Sequence, residues 1–144
     1  MFAVPQEANR VRTHRRRLLI VDAYDEREMY ALAFRAAGFH VATARTMRGA
    51  SRHLHSNPDA IVVGAVLADG SGAEFVARLK QTTQLATTPI ILLTGFIDRA
   101  RFDAMRNSGA DAVVLKPCLP PDLLDHIERL WSRPPRRMRT ATKT

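Results

Sequence analysis

Chemistry in this chain has four places to converge. Asp22 follows the apolar run Leu18-Leu19-Ile20-Val21, Thr94 follows Ile90-Ile91-Leu92-Leu93, and Lys116 follows Val113-Val114-Leu115, whereas the run Ile61-Val62-Val63 ends in Gly64. Of these groups, the Lys116 ammonium could bind an anion. Lys116 can equally pair with Asp22, since a buried lysine without a partner is costly. Asp69, five residues past Gly64, offers a displaced carboxylate, although Asp69-Gly70-Ser71-Gly72 also reads as a turn followed by a helix cap. Other chemistries are poorly supplied. His53 and His55 stand two apart and cannot share a helix face, while His14, His40 and His126 are isolated. There is no Ser-His-Asp order, and Gly70-Ser71-Gly72 lacks the lysine and spacing of a phosphate loop.

The elements that must position these groups alternate along the chain. The four apolar runs are continuous and rich in β-branched residues, as expected of strands buried on both faces of a parallel sheet. His40-Val41-Ala42-Thr43 is a weaker strand, expected at an edge. Helices are expected between them, each with terminal signals. Asp25, with Glu28 three residues on, predicts an N-cap closed off at Gly38. Thr46 begins a helix predicted to run to about Ser56, and Ser71 with Glu74 repeats the capping pattern. Asp98 is expected to cap a helix that carries Phe102 and Met105 and ends at Gly109. Pro120-Pro121 opens a last helix with Leu123, Leu124, Ile127 and Leu130 on one face. Five βα units make an α/β fold, a five-stranded doubly wound parallel sheet with five helices, in which ligands sit beyond the C-terminal strand ends. Asp22, Gly64, Thr94 and Lys116 all fall there.

The order and spacing of these parts resemble the receiver domain of two-component response regulators, over about residues 17–131. The stretches that carry the likeness are Leu18 to Asp22, Arg27-Glu28-Met29-Tyr30, Asn57-Pro58-Asp59, Pro89 to Thr94, and Gly109-Ala110-Asp111 through Lys116-Pro117. The resemblance implies a flavodoxin-like fold and a phosphoacceptor aspartate at the end of the third strand. It also implies acids after the first strand that help hold Mg²⁺, and a hydroxyl and a lysine that contact the phosphoryl group. Lys116-Pro117 is a cis-peptide candidate on the same grounds.

This chain departs from that pattern. Gly64 stands at the acceptor position, in a register supported by Gly72 eight residues on; the acidic pair is reduced to Asp22-Ala23; Ala68 replaces a loop proline; and Val113 stands where many receivers carry Tyr or Phe. Thr94 and Lys116 are retained. The nucleophile of such a site must be a carboxylate, so a degenerate phosphorylation site is expected, with weak or absent Mg²⁺ binding, no cofactor and no enzymatic activity.

The net charge of +8 is unevenly placed. Residues 1–17 hold five arginines against Glu7, and residues 132–144 hold five cations and no acid, which leaves the stretch between close to neutral. Two flexible basic tails, 1–17 and 132–144, are therefore expected to flank a domain at 18–131. Arg15, Arg16, Arg17, Arg136 and Arg137 offer contacts to nucleic acid or another anionic surface, or else serve only to keep the chain soluble. No apolar run is long enough to span a bilayer. With no signal-peptide pattern and the single Cys118, this makes a cytoplasmic location the default. The expected function is a stand-alone, phosphorylation-independent interaction module of two-component (phosphorelay) signalling. Its partner would be a histidine kinase or another regulator, or a second copy in a homodimer. By resemblance, the interaction face includes Arg99, Arg106, Val113 and Leu119. Two alternatives remain: an electrostatic binder acting through its tails, and a phosphorylatable receiver using Asp69 or Asp22.

Overall fold

The structure, a computed structural model, describes residues 15–95 and 99–133. Its strands are β1 (Arg17–Val21), β2 (His40–Ala44), β3 (Ala60–Gly64), β4 (Ile90–Thr94) and β5 (Ala112–Leu115); its helices are α1 (Glu26–Ala36), α2 (Met47–Ser51), α3 (Gly72–Gln81), α4 (Arg99–Asn107) and α5 (Pro120–Trp131). These five strands form one parallel sheet in the order β2-β1-β3-β4-β5, and Val66–Leu67 pairs antiparallel with Gly70–Ser71 in a short separate ribbon after β3.

Side-chain alternation explains why the strand sequences are continuously apolar. Leu19, Val21, Ile61, Val63, Ile90 and Leu92 pack on one side with Ala50, Phe75, Val76, Leu79 and Met105 from α2, α3 and α4. Leu18, Ile20, Val62, Ile91 and Leu93 pack on the other with Tyr30 and Phe34 from α1 and Leu123 and Ile127 from α5. Successive residues thus enter opposite cores, and neither face tolerates a polar group. At the edge, β2 is only exposed or half-buried.

Helix ends follow the sequence signals in part. Thr46 Oγ1 accepts the Gly49 N–H and Ser71 Oγ accepts the Glu74 N–H. Gly38 and Gly109 adopt φ of +104° and +89° behind α1 and α4. Two expectations fail. Asp25 makes no side-chain cap; its carboxylate is fully exposed and lies 3.7 Å from Arg27. Nor does the helix begun at Thr46 reach Ser56. After Ser51 it tightens through Arg52 N–H to Gly49 O and His53 N–H to Ala50 O, and a separate 3₁₀ turn covers Leu54–Ser56. Gly49 and Ser51 weaken the helix from within, and Asn57, in the left-handed conformation at φ 58°, closes the 3₁₀ turn that follows. The cap expected of Asp98 lies outside the described residues.

The sheet order places a topological switch between β1 and β3. Val21 pairs with Val63, so Asp22 and Gly64, each one residue further, are neighbours across that switch. At the far end of the sheet, Trp131 Nε1 donates to Asp59 O at 2.9 Å, the Arg16 guanidinium lies 4.0 Å from the indole centroid, and the Arg17 N–H donates to Asp59 Oδ2. Next to the domain start expected at residue 18, Arg17 already opens β1 and Arg16 is held against α5. Arg136 and Arg137 lie outside the described residues.

Candidate functional site

Asp22, Gly64, Thr94 and Lys116 come together at the C-terminal strand ends, as their places in the sequence predict. Asp22 is 2% exposed and Thr94 3% exposed. With Tyr24, Glu26, Gly95 and Arg101, Thr94 and Lys116 line a cleft of about 590 Å³. The Lys116 N–H donates to Thr94 O at 2.7 Å, which anchors the lysine beside β4. The peptide bond that follows, Lys116-Pro117, is cis.

The charge of Lys116 is already satisfied from within the chain. Its Nζ donates to Glu26 Oε1 at 2.7 Å and lies 3.1 Å from Asp22 Oδ2. The second contact is an ion pair without hydrogen-bond alignment, and Asp22 Oδ2 has no directed partner. Asp22 Oδ1 accepts the Tyr24 N–H at 3.2 Å. The Tyr24 ring centroid lies 4.9 Å from Nζ. Burial by itself would lower the Lys116 pKa, but the two carboxylates outweigh it and hold the ammonium above its usual value.

Gly64 is central to this arrangement. A Cβ at residue 64 would lie 2.5 Å from Asp22 Cγ and 2.6 and 2.8 Å from its two oxygens. The Asp22 carboxylate thus leans into the volume that a side chain at the end of β3 would use. Gly72 is required nearby for a different reason. Its N–H donates to Ala65 O at 2.9 Å, and a Cβ there would overlap the Gly64 carbonyl. The close approach of α3 to the end of β3 therefore fixes the backbone around Gly64.

The other predicted residues are more scattered. Asp69 is turned away from the cleft: Oδ1 accepts the Met47 N–H at 2.8 Å and Oδ2 the Arg48 N–H at 3.2 Å, at the start of α2. Those backbone bonds, the Met47 one foremost, hold its pKa below the usual carboxylate value. Ala23 is half-buried and its N–H reaches Val66 O; Ala68 is exposed. Arg99 and Arg106 are exposed on α4, and Leu119 is 65% exposed. Val113 packs half-buried against the α3 side of the core, and Leu115, further along β5, is exposed.

Sequence reasoning missed Glu26 and Tyr30. Glu26 is ninety residues from Lys116 in sequence. The available signal was its place in the first turn of α1, directly above the end of β1. Tyr30 O–H donates to Cys118 O at 2.6 Å and so ties α1 to the loop after Lys116. Burial first, and then the nearby Cys118, Glu26 and Asp22, push its phenol up to about 12. Among the described residues, no group of three His, Cys, Asp or Glu side chains is arranged to hold a metal ion, and no helix is long and apolar enough to cross a membrane.

Comparison with known proteins agrees with this geometry. Residues 18–128 match the response regulator receiver domain family. The chain is 28% identical over 120 residues to the phosphate regulon transcriptional regulatory protein PhoB of Escherichia coli, covering 83% of this chain and 52% of that protein. It is 31% identical over 117 residues to PhoB of Pseudomonas aeruginosa, covering 81% and 51%. It therefore spans about half the length of the curated relatives it matches. Among solved structures, the chemotaxis protein CheY4 of Vibrio cholerae superposes with a TM-score of 0.74 at 27% identity, covering 81% of this chain and 98% of that one. The signal receiver domain of a signal transduction histidine kinase from Syntrophus aciditrophicus gives 0.74 at 30% identity, covering 81% and 89%. With the sheet order, the strand-end site and the family match in agreement, this chain belongs to the response regulator receiver domains of two-component signalling.

Proposed function

We propose that this receiver domain works as a protein-interaction module whose signalling does not depend on phosphorylation at the end of β3. One observation carries the reading: the volume over Gly64 is taken by the Asp22 carboxylate, which, with Glu26, already neutralises Lys116. An in-line attack on phosphorus needs an anionic oxygen held in place, and residue 64 supplies none. Mg²⁺ is given up by water reluctantly and needs several oxygen donors. Here Asp22 Oδ1 is engaged by Tyr24, its Oδ2 faces an ammonium, and Glu26 is bound to that same ammonium. These residues do not fit the ion.

Asp69 is a poor substitute acceptor, because each of its oxygens accepts a backbone N–H at the start of α2. A histidine kinase or another regulator is the expected class of partner. The exposed side chains of Arg99, Arg106, Leu115 and Leu119 offer it a mixed apolar and cationic face, by analogy with other receivers. The test is incubation with acetyl phosphate and Mg²⁺, followed by intact-mass measurement. No adduct is expected. A stoichiometric, hydroxylamine-sensitive phosphoryl adduct would overturn the reading, and its position would distinguish Asp22 from Asp69.

A further inference from the structure

We propose that the pole opposite the Gly64 cleft is a composite cationic surface that binds the phosphodiester backbone of nucleic acid, built from both ends of the domain at once. This inference is independent of the phosphorylation reading. What carries it is a juxtaposition invisible in the sequence. Arg16 stacks on Trp131 at 4.0 Å, Trp131 is hydrogen-bonded to Asp59 O, and Arg17 opens the adjacent strand. Arg15, Arg16 and Arg17 at one end of the described chain and Arg133 at the other, more than a hundred residues apart in sequence, therefore stand at one pole of the domain. Arg15, Arg16, Arg17 and Trp131 share a cleft of about 650 Å³ with Ser56, Asn57 and Asp59.

The chemistry favours a phosphate polyanion. Residues 1–17 and 132–144 together hold ten cations against one acid, and nine of the ten are arginine. The guanidinium fork matches a phosphate's paired oxygens, whereas lysine acts as a point charge. Arg15, Arg16, Arg17 and Arg133 are all exposed. Three acids stand at this pole: Asp59 Oδ2 accepts the Arg17 N–H, and Asp125 and Glu128 accompany Arg129 and Arg133 along the end of α5. A lipid surface is the weaker candidate. The large exposed apolar side chains among the described residues (Tyr24, Met29, Leu32, Val66, Phe102, Leu115 and Leu119) lie on α1, α4 or toward the Gly64 end, so none is available here to enter a bilayer.

The experiment uses the full chain and a fluorescein-labelled mixed-sequence DNA duplex of about 20 base pairs, titrated by anisotropy across salt concentrations. Six engaged phosphates predict a log–log salt slope of about −5 and a roughly 10³-fold loss of affinity between about 50 and about 200 mM salt. Replacing Arg15, Arg16 and Arg17 by Gln, or Arg133, Arg136 and Arg137 by Gln, should each flatten the slope to about −3, and both sets together should leave little binding. Arg78→Gln, on α3, should leave the slope unchanged. The chain's single tryptophan is Trp131, so its emission should change on binding as Arg16 is drawn onto phosphate, and high salt should reverse the change. The proposal is overturned by absence of binding at about 50 mM salt, or by an unchanged Trp131 emission under saturating duplex. It also fails if only one arginine set matters, or if phosphatidylserine vesicles bind while the duplex does not.

Discussion

Placing an acid back at residue 64 should destabilise this domain rather than restore a site. Three substitutions separate the causes. Gly64→Ala, Gly64→Asn and Gly64→Asp all add a Cβ that would stand 2.5–2.8 Å from the Asp22 carboxylate atoms, so all three force that side chain away from Lys116. Lys116 keeps Glu26 as a partner at 2.7 Å. The shared cost should therefore sit at the low end for a broken buried pair, about 3 kcal/mol. Gly64→Asp then adds a charge that its neutral isostere lacks. Two carboxylates about 4 Å apart repel by roughly 4 kcal/mol at an effective dielectric of about 20, and one ammonium already shared by two carboxylates offsets only part of this. Asp should thus be less stable than Asn by about 2–4 kcal/mol at neutral pH, a large share of the ~5–15 kcal/mol that holds a domain together. Repulsion raises the folded-state pKa of the introduced acid. The folded state then binds more protons than the unfolded one, and the Asp–Asn gap should close as pH falls to about 4. Urea denaturation of the three variants at neutral and acidic pH measures both terms. An Asp variant as stable as the Asn variant at neutral pH, or an Ala variant more stable than the parent, would refute the account of Asp22 as the occupant of this space.

Two further perturbations probe the frame of the cleft. Gly72→Ala should cost more than about 3 kcal/mol or prevent folding, because its Cβ meets the backbone carbonyl of Gly64 rather than a side chain that can turn away; a thermal midpoint within a few degrees of the parent would contradict this. Tyr30, with its phenol pushed up to about 12, should keep the fold stable below about pH 10 and lose on the order of 2 kcal/mol as pH rises from 10 to 12. Lys116, also raised, adds to the loss in the same alkaline range. Denaturant midpoints of the parent and of Tyr30→Phe across that range are the measurement, and the phenylalanine variant should show the shallower decline.

The sheet was legible because period-two alternation buried on both sides leaves an uninterrupted apolar run, as in Ile61-Val62-Val63, and such runs ended where the cleft lies. Gly64, Asp22, Thr94 and Lys116 could be placed by that rule alone. What the sequence did not reveal depends on long-range pairing or on competition between similar local signals. Asp25 has the type and spacing of an N-cap, yet it points to solvent while Asp22 takes the Tyr24 N–H; nothing local distinguishes the two acids. Asp69 looked like part of its own turn and instead caps a helix more than twenty residues away. Glu26 reads as an ordinary first-turn acid until β5 brings Lys116 beside it. Lys80 and Asp111, 2.8 Å apart with Asp111 also accepting the Ile90 N–H, form a second nearly buried pair whose logic appears only once α3 packs beside β4.

The contact between Arg16 and Trp131 also governs how this domain can be joined to anything else. Whatever precedes β1 and whatever follows α5 enter and leave at one end, about one strand length, roughly 16 Å, from the Gly64 cleft. A sequence fused to either end starts away from that cleft, and a short linker could close the two ends into a ring with new ends opened at an exposed turn such as Ala86-Thr87. Such a circular permutant would keep every strand pairing of the sheet, so the domain is a unit that can be inserted within another chain as readily as it can be placed in series with one.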